Sequence, residues 1–173
     1  LKDWRGDLSQ SGGGILLDQG IHMLDLFLYL GGNLDEVKAF VSNLYWKLPG
    51  IEDNVFAIFK NSKTGLSASL HSTMTQWRYL FSLELFLEKG SLILNGLKTS
   101  SGVYGDEILT IRENTYPFEA GTSNKEKQII YKENFSWDIE IKHFFDSIDN
   151  EVPVSLGNSS DAVRLMKVIQ KIY

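Results

Sequence analysis

The chain has 173 residues, with 22 acidic and 17 basic side chains, a formal net charge of -5 and 43% hydrophobic content, which suits one packed domain and excludes global disorder. An acidic balance without a Lys/Arg cluster excludes the electrostatic footprint that nucleic acid or an anionic membrane surface requires. Zero cysteines exclude a disulfide scaffold, a Cys-ligated metal and a cysteine nucleophile, and point to a cytoplasmic compartment.

The chain opens Leu1-Lys2-Asp3-Trp4, with neither an initiator Met nor an apolar signal core, and reads as a piece of a longer protein. From Gly12 to Gly31 the residues are apolar almost all round and bounded by glycines, which predicts a buried helix. Its longest apolar run, Ile21 to Leu30, is broken by His22 and Asp25 and is too short to cross a bilayer. Seven β-branched and aromatic runs follow: Val37 to Trp46, Val55 to Lys60, Leu66 to Thr73, Leu80 to Glu88, Ser91 to Asn95, Ile108 to Arg112 and Gln128 to Lys132. Short connectors with turn chemistry, such as Glu88-Lys89-Gly90, predict antiparallel pairing in a meander.

In the strand around Leu83 and Leu85 one parity is strongly apolar, and the other still carries Leu80 and Phe86. A second apolar face is most cheaply buried against a second copy, so a homo-dimer or tetramer through the sheet is expected, with coverage by the chain's own loops or a missing domain as the alternative. Thr115 to Lys127 reads as a loop or flap. Two amphipathic helices, Ser136 to Asp149 and Ser159 to Tyr173, then close the chain and can lie on the sheet. The expected fold class is α+β: a two-layer domain with a large, mostly antiparallel sheet and helices packed on one face.

Asp18, His22 and Asp25 stand at i, i+4 and i+7, along one stripe of the first helix. Charges among apolar neighbours are costly unless paired, so the stripe either forms an internal network or lines a cavity. A histidine beside a carboxylate suits proton transfer near neutral pH, while a satisfied structural network explains the same pattern. A metal site lacks a second ligand motif, and no Gly-x-Ser-x-Gly elbow supports a triad. Gly12-Gly13-Gly14 admits close approach of a flat ligand or an anion, but no Gly-x-Gly-x-x-Gly or Walker loop occurs. Trp4-Arg5 and Trp77-Arg78 combine a stacking ring with a donor fork, a pairing that suits sugars or phosphorylated substrates as well as plain strand anchoring.

The run Gly12-Gly13-Gly14-Ile15-Leu16-Leu17-Asp18-Gln19-Gly20-Ile21-His22-Met23-Leu24-Asp25, followed by Leu30-Gly31-Gly32 and a strand with Val37, resembles the GGGxLxDxGxHxxD signature of the Gfo/Idh/MocA oxidoreductases. Glu88-Lys89-Gly90, Trp137 at a helix start, and Pro153 to Tyr173 extend the resemblance over essentially all 173 residues. The resemblance implies that residues 1–173 are the C-terminal substrate-binding and oligomerisation domain of an NAD- or NADP-dependent oxidoreductase whose N-terminal Rossmann domain lies outside this chain. It implies a substrate that is a sugar, polyol or nucleotide sugar, and an inactive isolated fragment. By the same resemblance His22 is the acid/base, Asp18 orients it or the substrate, Asp25 supports the helix, and a Glu-Lys-Pro lysine comes from the other domain. Gly14 is the candidate cofactor-binding residue, and Arg5, Trp77 and Arg78 are candidate substrate contacts. A non-catalytic dimerisation or sugar-binding module is the alternative.

Overall fold

The computed structural model describes residues 3–114 and 126–173. These fall into two compact units, Leu1–Trp77 with Val154–Tyr173, and Arg78–Pro153.

The first unit is a helical layer on an antiparallel sheet. Strands β1 (Glu36–Ser42), β2 (Asn54–Lys60) and β3 (Ser67–Thr73) pair in that order, with Phe40 opposite Phe56 and Phe56 opposite His71. Period-two alternation sends Val55, Ala57 and Phe59 of β2 inward, while Phe56 and Ile58 stay exposed on the other face. The inner face meets α2 (Ile21–Gly31) and α4 (Ser159–Ile172). In α4, Leu165, Val168, Ile169 and Ile172 recur at helical spacing, are all buried, and join Leu24 and Leu28 of α2. Each such side chain contributes about 1.5–3 kcal/mol through burial. Asn158 caps α4, its side chain accepting from Ser160 N at 2.9 Å and Asp161 N at 3.0 Å.

The first predicted helix is not one regular buried helix. A short α1 (Leu8–Ser11) ends at Gly12, whose φ of 75° lies in the left-handed region. The chain then forms a π-helical turn over Leu16–Gly20, where the Ile21 N–H reaches back to the Leu16 carbonyl, and only afterwards enters α2. Within α2, Leu24 and Leu28 are buried, but His22, Asp25, Tyr29 and Leu30 are exposed.

The second unit carries β4 (Ser82–Leu87), β5 (Gly90–Asn95), β6 (Glu107–Glu113) and β7 (Lys127–Tyr131) as an antiparallel meander. Leu83, Leu94, Leu109 and Ile129 align across the four strands, with Leu85, Leu92 and Ile111 in the next row, giving this sheet an apolar face. Phe86 on the other parity is 76% exposed. Gly90 is required where β5 meets β6, since a Cβ there would lie 2.1 Å from the Arg112 carbonyl oxygen.

The α+β architecture agrees with expectation, while the strands divide into two sheets instead of one. No ladder joins β3 to β4, because residues 74–81 leave extended pairing and Trp77 adopts a left-handed φ of 55°. Of the two closing helices only α4 has its apolar stripe in the core. In α3 (Ser136–Asp149) Trp137, Ile141, Phe144, Phe145 and Ile148 are exposed, so this helix does not lie on a sheet with its apolar face covered as expected. Of the predicted loop Thr115 to Lys127, residues 115–125 lie outside the described residues, and Lys127 opens β7. Among the described residues no helix is long and apolar enough to cross a membrane.

Candidate functional site

The site is assembled by short capped turns. Asp3 accepts from the Arg5 N–H at 3.0 Å and starts a 3-10 turn over Trp4–Gly6. Asp7 caps α1 by accepting from Ser9 and Gln10, and these hydrogen bonds, led by that of the Ser9 hydroxyl, hold its carboxyl below the usual carboxylate range. The Arg5 guanidinium consequently lies 4.5 Å from the Trp4 ring centroid, and its Nε donates to Asp18 Oδ1 at 3.2 Å. With side-chain exposures of 43% and 35%, this ion pair fixes geometry more than it adds stability.

The glycine segment is held from below by one residue. Glu52, 3% exposed, accepts from Gly14 N at 2.7 Å and Leu16 N at 2.9 Å through its carboxylate, and from Ile15 N at 3.0 Å through its carbonyl. Tyr173, the last residue, donates its hydroxyl to Glu52 Oε1 at 2.8 Å. Burial, then the hydrogen bond to Glu52, pushes that phenol above its ordinary range and keeps it a donor. A Cβ on Gly14 would stand 2.0 Å from the Glu52 carbonyl oxygen, which explains the glycine by close packing. The anion that the triple glycine admits is therefore the chain's own carboxylate.

Trp4, Arg5, Gly14, Leu17, Asp18 and Met74 line a cleft of ≈ 100 Å³. Three predicted residues, Arg5, Gly14 and Asp18, thus come together, although the Gly14 N–H is already engaged by Glu52. The side chains of His22 and Asp25 are exposed on α2 and make no hydrogen bond to a described residue, so the internal network considered for the Asp/His stripe does not form. Trp77 packs instead against Tyr45 and Trp46, at 5.3 and 6.2 Å between ring centroids. Arg78 is exposed and belongs to the second unit. A larger open groove of ≈ 780 Å³ along α4 is lined by none of the residues singled out from the sequence. Among the described residues no three His, Asp or Glu side chains gather as a metal site would require.

Sequence reasoning missed Glu52 and Asp53. The available signal was a polar run, Glu52-Asp53-Asn54, immediately before an alternating strand. Asp53, 1% exposed, accepts from the backbone N–H groups of Tyr45 at 2.7 Å and Trp46 at 3.0 Å, ending β1 at Ser42 and turning the expected strand tail into a loop. Its carbonyl accepts from Met74 N at 3.0 Å, which ties the cleft wall to the same residue.

The family model for the GFO/IDH/MocA C-terminal domain matches residues 1–93, which include the whole cleft. The chain belongs to this family. Nothing among the curated proteins matches it. Among solved structures it is similar to an NAD binding oxidoreductase from Klebsiella pneumoniae, with a TM-score of 0.75 and 16% identity over 98% of this chain and 50% of that one. It is also similar to the WlbA dehydrogenase from Bordetella pertussis in complex with NADH and UDP-GlcNAcA, with a TM-score of 0.64 and 18% identity over 98% of this chain and 47% of that one. The chain thus spans about half the length of these structures.

Proposed function

We propose that this domain is the substrate side of an NAD(P)-dependent oxidoreductase acting on a sugar, polyol or nucleotide sugar. The observation that carries the reading is the cleft where Arg5 holds Asp18, four residues before His22. The WlbA complex with a UDP sugar supports the substrate class by analogy of fold. The cofactor would be held mainly by an N-terminal Rossmann domain. Within this chain the Gly14 N–H is committed to Glu52, so Gly14 borders the cofactor as a surface without donating to its phosphates. The bound nicotinamide supplies hydride exchange with the reacting carbon.

In this reading the exposed imidazole of His22 takes the proton from the substrate hydroxyl during oxidation and returns it during reduction. Asp18 orients the substrate hydroxyl, and Arg5 fixes the Asp18 carboxylate in the cleft wall. Trp77 and Arg78 are substrate contacts in this reading, whereas Asp25, exposed and without a side-chain bond to a described residue, has no supporting contact on α2. The exposed apolar residues Phe40, Phe56, Ile58 and Phe86 support a homo-dimer or tetramer through the sheets. The isolated 173 residues are expected to be inactive.

The test is His22→Ala in the intact enzyme. Loss of the general acid/base lowers turnover by roughly 10²–10⁴-fold. Because His22 is exposed and unbonded to described residues, the melting temperature stays unchanged. Full turnover in the variant refutes the role and moves the reading to a non-catalytic dimerisation or sugar-binding module.

A further inference from the structure

Of the three non-glycine residues with left-handed φ among the described residues, Trp77 at 55° belongs to one aromatic cluster and Lys47 at 54° follows another of its rings, Trp46. Such conformations are costly for L side chains and persist where surrounding structure enforces them, often at ligand clamps. Here the enforcement is visible. Asp53 is buried and holds the Tyr45 and Trp46 N–H groups, while its carbonyl accepts from Met74 N and from Thr73 Oγ1 at 3.2 Å. One residue therefore fixes both the loop carrying Tyr45 and Trp46 and the segment leading to Trp77.

The three rings meet edge to face or tilted: Tyr45 and Trp46 at 5.2 Å and 79°, Tyr45 and Trp77 at 5.3 Å and 78°, Trp46 and Trp77 at 6.2 Å and 47°. They form an angled surface rather than a flat patch. Trp77 is 73% exposed and Tyr45 54%. Large aromatic side chains held rigid yet wet present contact area at low entropic cost. Glu52, the neighbour of Asp53, anchors the glycine segment, and Met74 lines the Asp18 cleft. The cluster and the cleft thus share one support.

We propose that Tyr45, Trp46 and Trp77 form a stacking subsite for a neutral pyranose ring, which binds its apolar C–H face to the rings while another part of the same substrate reaches the Asp18 cleft. This rests on the sugar-substrate reading above and specifies where a ring beyond the reacting one sits. The three ring faces are themselves uncharged and suit the apolar face of a neutral ring, while Lys47 and Arg78, next to Trp46 and Trp77 in sequence, are the groups an anion would use, and the sulfate arm of the test separates the two.

The test is a two-dimensional NMR titration of indole N–H signals in the 173-residue chain, using methyl glucopyranoside, with uridine and inorganic sulfate as comparisons. The expected result is saturable movement of the Trp46 and Trp77 signals with the pyranoside and none with sulfate. Trp77→Ala weakens this binding about tenfold or more. Trp77→Gly, which relaxes the left-handed φ, and Tyr45→Ala do the same in chains whose remaining spectrum is unchanged. No response to the pyranoside, or a response to uridine alone, overturns the proposal. Loss of turnover in His22→Ala with a silent indole titration would refute this subsite and leave the oxidoreductase reading standing; pyranoside binding with full turnover in His22→Ala would refute the acid/base role of His22 and leave the subsite standing.

Discussion

Replacing Glu52 with Gln changes one atom of the side chain and should destabilise the first unit by about 3 kcal/mol. The carboxylate accepts from three donors, Gly14 N at 2.7 Å, Leu16 N at 2.9 Å and Tyr173 Oη at 2.8 Å, in a residue that is 3% exposed. An amide keeps one acceptor oxygen and turns an NH₂ towards at least one of those donors. One charge-assisted bond of about 1.5–3 kcal/mol is lost, and the donor left unpaired in a buried setting costs about 1–3 kcal/mol more. The smaller desolvation cost of an amide offsets part of the sum, leaving about 3 kcal/mol.

Equilibrium urea unfolding followed by far-UV circular dichroism measures this, and the midpoint should fall by about 1–3 M for an m-value of about 1–3 kcal/mol/M. Tyr173→Phe removes a single donor from the partly exposed terminus and should cost about 1 kcal/mol. In the double variant the two losses should be less than additive, because the tyrosine bond is already weakened once the carboxylate is gone. A Glu52→Gln variant within 0.5 kcal/mol of the parent, using the usual size of a neutral surface substitution as about that limit, would refute the view that this carboxylate organises the glycine segment.

Gly14→Ala, whose Cβ meets Glu52 backbone atoms at 2.0 and 2.7 Å, should destabilise the chain by about 3 kcal/mol or more. Gly65→Ala has open space around it and only a φ of 78° to oppose it, so its loss should be about 1 kcal/mol, and the reverse order in thermal unfolding would contradict the packing argument. His71 stacks on Phe56 at 3.9 Å and bonds Asn54 at 2.9 Å, and burial lowers its pKa from 6.5. The unfolded chain therefore binds more protons below about pH 6.5, so this contribution to stability is present above that pH and is lost as pH falls towards the folded value. The stability difference between the parent and His71→Gln should accordingly shrink between pH 7 and 5, and a difference that grows on acidification would show the opposite sign of linkage.

The strands were legible because their side chains obey period two over short runs between turn residues. The existence of β2 was legible in this way, but its inward face was not, because Val55 to Phe59 is apolar at both parities and only the structure shows Val55, Ala57 and Phe59 buried with Phe56 and Ile58 exposed. Less accessible was what happens before Ile21. A glycine-bounded apolar run reads as one helix, but Gly14, Ile15 and Leu16 all direct their N–H groups at Glu52, 36–38 residues away, and the turn that follows widens to π geometry. No local periodicity records a long-range carboxylate. The same limit explains the Asp/His stripe: ideal helical spacing puts Asp18, His22 and Asp25 in one buried line, whereas the structure gives Asp18 to Arg5 and leaves the other two exposed. The breadth of the predicted sheet was overdrawn at residues 74–81, where a left-handed Trp77 interrupts extended backbone that composition alone does not flag.

Glu52, Asp53 and Asn54 are consecutive, yet each serves a different region. Glu52 holds the glycine segment and thereby the wall of the Asp18 cleft, Asp53 holds the Tyr45–Trp46 loop together with Met74, and Asn54 meets His71 on the outer face of the sheet. The segment entering the central strand β2 can do this because its three consecutive side chains reach different partners, and the backbone carbonyls of Glu52 and Asp53 are used as well. The three regions are consequently coupled through covalent neighbours rather than through a network of weak contacts. A one-residue slip of β2 would hand each region the wrong side chain and also invert the buried and exposed faces of the strand. The alternating core residues Val55, Ala57 and Phe59 therefore set the register of the site as well as the packing of the fold.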